Sequence, residues 1–365
     1  MVHQKYIAFL ITMLLFAQIS RAQETANKFE AGFNYHYGFL WGHRASIKVL
    51  TKGYANMMEL SFYKKFTGEN DWELKYKYPS LGGSFFYFDF GNPEQLGYGY
   101  SVLAFFDFPL VGNEKAALSF KIGTGPGFVS KHFDRKDNLK HWGLSTTVNG
   151  FAHLSLKGKF KITDHLNAAA GISLSHFSNA SFKKPNLGIN LPGVTAGLFY
   201  AFKPVELTPR KLKSEYSYAK NWNHDLVLNY GAKEKNPIGG SRHSVFSLNY
   251  SGSRHISFKS RLGAGLDFFY NTAHKNEPDA NDEIITSPSD ILQMGISAAY
   301  TLQISKFSIF FSPGIYCYTA YVDDGNFYTR MGIRYLVKDH LLLNISMKTH
   351  YAVADHSEFG IGYRF

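Results

Sequence analysis

The chain has 365 residues, of which 45% are hydrophobic, 17% aromatic and only 18% charged, with a formal net charge of +11 and a mean hydropathy of −0.20. Thirty-three Gly, 24 Tyr and 33 Phe are high for a water-soluble globular chain. Past residue 22 no apolar run approaches the roughly eighteen residues of a membrane helix, and the only cysteine, Cys317, excludes an intrachain disulfide. A composition rich in aromatic residues and Gly, with modest hydropathy, suits many short strands that each have one wet face and one apolar face.

In chain order, residues 1–22 read as a secretory leader. Lys5 gives a positive start, Tyr6 to Ile19 an apolar core, and Ser20-Arg21-Ala22 a small-x-small cleavage site before Gln23. Without Lys5 and Arg21 the formal charge falls from +11 to +9. No nucleic-acid motif accompanies that basic balance, so a nucleic-acid partner is not expected.

Strands then follow at short spacing. Phe29 to Tyr37 alternates Phe29, Ala31, Phe33 and Tyr35 with polar partners, and Tyr54 to Phe66 carries Met58, Leu60 and Phe62 on one face. Gly83 to Phe90 is strongly aromatic. Tyr98 to Phe108 and Ala116 to Val129 come next, then a polar turn at His132–Asn138 and one or two strands over Leu144 to Ile162.

The next hairpin carries the chemistry. Ala170, Ile172 and Leu174 alternate with Gly171, Ser173 and Ser175, and the same count places His176 and Ser178 on the apolar face. Turn residues follow through Lys183-Lys184-Pro185-Asn186-Leu187-Gly188. The second strand has Val194, Ala196, Leu198, Tyr200 and Phe202 on its apolar face, a parity that reaches Asn190. His176, Ser178 and Asn190 therefore emerge on one face at the same end of one hairpin. An imidazole beside a hydroxyl, with a third polar group to orient it, is the outline of a nucleophilic site.

The run His-x-Ser-Asn, five residues, Pro-Asn-x-Gly-Ile, then a strand ending Tyr-Ala-Phe resembles the lipid A 3-O-deacylase (PagL) family. The resemblance is tight over about 165–203 and looser over the preceding strands. It implies an outer-membrane β-barrel of a Gram-negative bacterium that hydrolyses an ester-linked acyl chain of lipopolysaccharide. His176 matches the family's base and Ser178 its nucleophile; Asn179 matches the Asn that follows, expected to help stabilise the oxyanion. The family's acid falls on Asn190, an amide here. Lipid A and outer-membrane lipid are the partners implied, and Lys/Arg clusters in outer loops would favour lipopolysaccharide phosphates. No cofactor or metal is expected.

Residues 204–223, with Pro204, Pro209 and a Lys/Arg-rich segment, form the one plausible boundary. The chain thus divides into the leader 1–22, a deacylase-like barrel part 23–203 and further strands over 204–365. Asp164-His165-Leu166 before His176 is echoed by Asp339-His340-Leu341 before His350. Phe359, Ile361, Tyr363 and Phe365 share a face in a terminal strand resembling the signal read by the outer-membrane insertion machinery, a partner during assembly.

The expected fold is all-β: an antiparallel transmembrane outer-membrane β-barrel of about fourteen to sixteen strands, with two eight-stranded barrels joined through 204–223 as the alternative. The expected function is a Ser-His esterase acting on lipid A; a non-catalytic lipopolysaccharide-binding barrel and a porin-like channel are the other readings. N-terminal sequencing of the mature protein should return a start near Gln23.

Overall fold

A computed structural model describes residues 28–113, 115–204, 221–235, 237–279, 281–351 and 353–365. The leader and most of the 204–223 boundary lie outside the described residues. Among those described, no helix is long and apolar enough to cross a membrane; the chain is built of sixteen antiparallel strands instead.

Eight strands form the first barrel: β1 Phe29–Phe39, β2 Tyr54–Lys65, β3 Ser80–Asp89, β4 Tyr98–Gly112, β5 Ala116–Val129, β6 Val148–Lys161, β7 Leu166–Ser178 and β8 Ile189–Ala201. Each pairs with the next, and β8 returns to β1 from Glu30↔Ala201 to Gly38↔Gly193. The second barrel repeats this with β9 Trp222–Glu234, β10 Arg242–His255, β11 Ser260–Asn271, β12 Leu292–Ile304, β13 Phe307–Tyr318, β14 Phe327–Leu336, β15 Leu341–His350 and β16 Val353–Arg364. Here β16 returns to β9, from Phe359↔Tyr230 to Arg364↔Asp225.

The antiparallel barrel fold is as expected. The sixteen strands do not make one large barrel, however; they close as the two barrels of the alternative. The reason is edge pairing. Once β8 hydrogen-bonds to β1, neither has an open edge left for a ninth strand. Gly38 and Gly193 mark how tight that seam is, since a Cβ on Gly38 would lie 2.2 Å from the Pro192 carbonyl oxygen.

Side chains alternate across the sheets in the sense opposite to a water-soluble protein. On β2, Glu59 and Ser61 are buried while Leu60 is 55% and Phe62 64% exposed. On β1, Glu30, Asn34 and His36 point in, and Phe33, Tyr35, Tyr37 and Phe39 point out. A polar inside and an apolar outside suit a hydrocarbon surround.

Many of the inward polar groups pair with one another, while others, such as Lys157 Nζ and Ser155 Oγ, have no hydrogen-bond partner among the described residues. Glu59 accepts from Asn34 Nδ2 at 3.0 Å and Ser84 Oγ at 2.6 Å, lies 3.3 Å from His36 Nε2, and is ion-paired with Lys121. In the second barrel Arg330 donates to Glu358 through Nε (3.0 Å) and Nη2 (2.7 Å) and to Asp267 through Nη1 (3.2 Å), and Tyr328 donates to Asp267 at 2.6 Å. Asp225 binds Arg364 and Arg334.

The Asp-His-Leu echo has a structural content. His165 and His340 each precede the seventh strand of their barrel. His165 Nδ1 bonds the Ala201 carbonyl at 2.9 Å, and His340 Nδ1 bonds the Arg364 carbonyl at 2.7 Å. Each histidine also stacks on an aromatic residue of the last strand, Tyr200 or Tyr363. The two turns do the same work: they tie the start of strand seven to the end of strand eight.

Arg330 is the cation that Glu358 and Asp267 share in the interior of the second barrel. Arg330→Ala leaves Glu358 and Asp267 buried without their cation, and should lower unfolding stability by about 3–5 kcal/mol. Urea titration of the refolded barrel, followed by its heat-modifiable gel mobility, checks this.

Candidate active site

Phe177 explains why its neighbours face outward. Its ring is buried inside the first barrel, 4.7 Å from Phe151 and 5.0 Å from Phe88 between centroids. Gly127 opposite leaves the room; a Cβ there would come within 2.6 Å of the Phe177 ring. With Phe177 fixed inward, the period of two turns His176 and Ser178, both on β7, to the outer face.

His176 stands directly across from Asn190 in the β7–β8 ladder. Its Nδ1 lies 2.7 Å from Asn190 Oδ1. Because an amide oxygen only accepts, Nδ1 carries the hydrogen and the Nε2 lone pair is left for a proton from elsewhere. Next to this pair the chain leaving β1 is fixed to β8, with Trp41 N–H donating to the Asn190 carbonyl at 2.9 Å. His43 Nδ1 lies 3.4 Å from Asn190 Nδ2. Along the strands on the membrane side of His176–Asn190, Leu174 pairs with Pro192 and Ile172 with Val194. These residues, with Tyr37 and Trp41, line an apolar furrow of about 650 Å³ on the outer surface.

The turn after β7 holds Ser178. Its Oγ accepts from the Ala180 N–H at 3.0 Å and from Asn186 Nδ2 at 2.9 Å. With two donors aimed at the oxygen, the hydroxyl keeps its own hydrogen to give. Ala180 and Ser181 adopt positive φ, which bends the backbone sharply enough for the Ala180 N–H to reach back. Asn179 is committed to holding this turn. Its Nδ2 donates to Ser145 Oγ (3.2 Å) and Thr146 Oγ1 (3.1 Å), and its backbone N–H donates to Asn186 Oδ1 at 3.0 Å.

Those contacts join the turn to the loop between β5 and β6. Ser145 Oγ donates to the Lys183 carbonyl at 2.8 Å, and the N–H groups of Leu187 and Gly188 donate to the carbonyls of Trp142 and Gly143. His141 in the same loop is buried, and its Nδ1 accepts from the Leu144 N–H at 3.3 Å.

Sequence reasoning thus placed His176, Ser178 and Asn190 on the outer face, where they are found. It missed Asn186, which is both donor to Ser178 and acceptor for Asn179, and it missed His43. Asn186 stood in the Pro-Asn-x-Gly-Ile run, so its position was visible but its partner was not; nothing local marks His43. His350, the echo of His176, turns inward to Tyr316, 2.8 Å from its hydroxyl. Among the described residues, two His/carboxylate groups sit close enough together to hold a metal ion: His36, Glu59 and His153, and Asp324, His350 and Asp355. In the first, Glu59 is already engaged by Lys121, His36, Asn34 and Ser84; in the second, Asp355 is ion-paired with Lys233 and Lys348. Those cations already answer the charge a metal would neutralise.

Residues 56–199 match the family model described as lipid A 3-O-deacylase (PagL), and residues 222–365 that of the acyloxyacyl hydrolase C-terminal domain. Among solved structures, the outer membrane enzyme PagL is 16% identical over 46% of this chain and 97% of its own, with a TM-score of 0.33. A mutant porin of Rh. blastica is 8% identical over 92% and 99%, with a TM-score of 0.21. The FrpB iron transporter from Neisseria meningitidis is 8% identical over 93% and 69%, with a TM-score of 0.22. No curated protein matches.

Burial holds the His141 imidazole neutral by lowering its pKa from 6.5 to about 4. A base whose pKa falls on folding stabilises the fold above its unfolded value and ceases to do so as pH drops. The loop should therefore be fully held above pH 6.5 and loosen towards pH 4. Faster hydrogen exchange of the Leu144 amide over that interval, beyond the intrinsic pH effect, checks it; His141→Phe should remove the pH dependence.

Proposed function

Because the chain belongs to the lipid A 3-O-deacylase (PagL)/acyloxyacyl hydrolase family, we propose that it is an outer-membrane esterase. In this reading it removes an ester-linked acyl chain from lipid A, with Ser178 as nucleophile and His176 as base. The observation that carries this is the His176–Asn190 pair at 2.7 Å on a strand face that meets lipid. It sets the tautomer in which Nε2 is the base, and two residues along the same strand the Ser178 oxygen receives two N–H donors.

Ser178 Oγ attacks the ester carbonyl and passes its proton to His176 Nε2. The tetrahedral oxyanion collapses, and the sugar hydroxyl leaves with the proton from His176. Water, deprotonated by the same imidazole, then hydrolyses the acyl-serine and releases the fatty acid. The Ala180 N–H and Asn186 Nδ2, which already point at Oγ, are the nearest donors for the oxyanion; Asn179 supports them by fixing Asn186. The apolar furrow below the pair lets the scissile ester be reached from within the lipid layer.

Asn190 orients the ring without supplying the charge that would stabilise the imidazolium. In the serine-protease template the corresponding acid-to-amide change costs about four orders of magnitude. The reading is therefore of a slow enzyme. A porin-like channel is less well supported, because Arg330, Arg334, Lys348 and their carboxylate partners fill the second barrel's interior.

Mass spectrometry of lipid A from cells with and without the expressed protein tests the activity. Ser178→Ala and His176→Ala should each lower deacylation by roughly 10³-fold or more with the barrel still heat-modifiable. Asn190→Ala should cost far less than either. Asn190→Asp should raise the rate by about tenfold or more, which is about 1.4 kcal/mol of barrier. A slower Asn190→Asp protein with an intact fold would remove Asn190 from the site, and lipid A unchanged by the parent protein would end the hydrolase reading.

A further inference from the structure

The chain between β1 and β2 carries His43, Arg44, Lys48 and Lys52 and no acidic residue from Leu40 to Gly53. It is a built loop. Leu40, Ile47 and Leu50 are buried beneath it, and Asn92 Nδ2 donates to the Leu50 carbonyl at 2.8 Å. Lys52 is taken up by Glu94 at 3.0 Å. Arg44 and Lys48 are exposed and bracket one short helical turn, Arg44 as its cap and Lys48 as its last residue. Lys48 folds back over Gly42, where a Cβ would meet its Cα at 3.1 Å and its Cβ at 3.2 Å.

This loop is joined to the catalytic pair through Trp41 and His43, as given above. On the strand side of His176–Asn190 the surface is the apolar furrow; on the loop side it is cationic. An amphiphile whose ester lies at the pair would place its hydrocarbon in the furrow and its polar end against the loop. We propose that Arg44 and Lys48 form a subsite for the phosphorylated sugar headgroup of the lipid substrate. Arg44 suits a phosphate through paired N–H donors and Lys48 through a point charge. This rests on the esterase reading for the identity of the substrate, but it is a statement about binding and is tested as such.

The test uses the full chain carrying Ser178→Ala, so that nothing is consumed, in neutral detergent micelles. Binding of bisphosphorylated lipid A is compared with that of the same lipid after enzymatic removal of its phosphates. The phosphorylated lipid should bind at least about tenfold more tightly, about 1.4 kcal/mol, and added salt should erode only that difference. Arg44→Ala with Lys48→Ala should abolish the preference while leaving the affinity for the dephosphorylated lipid unchanged. Arg44→Lys with Lys48→Arg should retain most of it, which separates lost charge from a damaged loop. Equal binding of the two lipids, a preference that survives the double alanine variant, or inorganic phosphate binding as tightly as the phosphorylated lipid would each overturn the assignment. A parent protein that discriminates between the lipids yet deacylates neither would end the esterase reading and leave the headgroup subsite standing.

Discussion

Hydrocarbon cannot hydrogen-bond, and the closed-sheet architecture of this protein follows from that constraint. A strand facing lipid must find all its backbone partners in neighbouring strands, so each sheet has to close. Here closure comes twice, through β8 to β1 and β16 to β9. Closure turns half of all side chains inward, and those that are polar must be satisfied without bulk water. Glu59 with Lys121 in one barrel and Arg330 with Glu358 and Asp267 in the other show how. Buried ion pairs of this kind add little net stability over apolar packing. Their value is that charged groups sit in balance inside, beside aromatic ones such as Phe88 and Phe151, while the outward positions go largely to apolar residues.

The candidate site departs from this pattern, because His176, Ser178 and Asn190 are polar groups on the face given over to Ile172, Val194 and Leu198. They are tolerated because each has a partner within the hairpin or its turn: Asn190 for His176, and Asn186 with the Ala180 N–H for Ser178. They also lie at the strand ends, where the apolar belt gives way to loops. The inward wedge of Phe177 against Phe88 and Phe151 sets their direction from the opposite side of the sheet. A buried aromatic thus does as much for the site as the polar groups that form it.

The two barrels share a device without sharing a site. His165 and His340 close the same turn in the same way, yet His176 faces lipid while His350 faces Tyr316 inside its barrel. The difference is one of parity: on β15 the inward side chains are Leu342, Asn344, Ser346 and Lys348, a count that reaches His350, whereas on β7 they are Ser173, Ser175 and Phe177, which leaves His176 outside. In β7 the alternation runs unbroken from Ala170 to Ser178.

What the sequence determined by itself was whatever depends on neighbours one or two residues away. Period-two alternation gave the strands, their faces, the polar interior and the outward placing of His176, Ser178 and Asn190, because pleating makes the face of a side chain a matter of parity alone. The turn residues after Ser178 were equally legible. The tertiary structure alone decided which strand closes on which. A strand reads the same whether it ends a barrel or continues one, and the choice of two barrels over one rests on a pairing of Glu30 with Ala201 across most of the first barrel. It also decided that Asn186 reaches Ser178 and that His43 reaches Asn190 from 147 residues away. Those contacts are set by where closed sheets bring their loops, and no local pattern encodes a distance across a barrel.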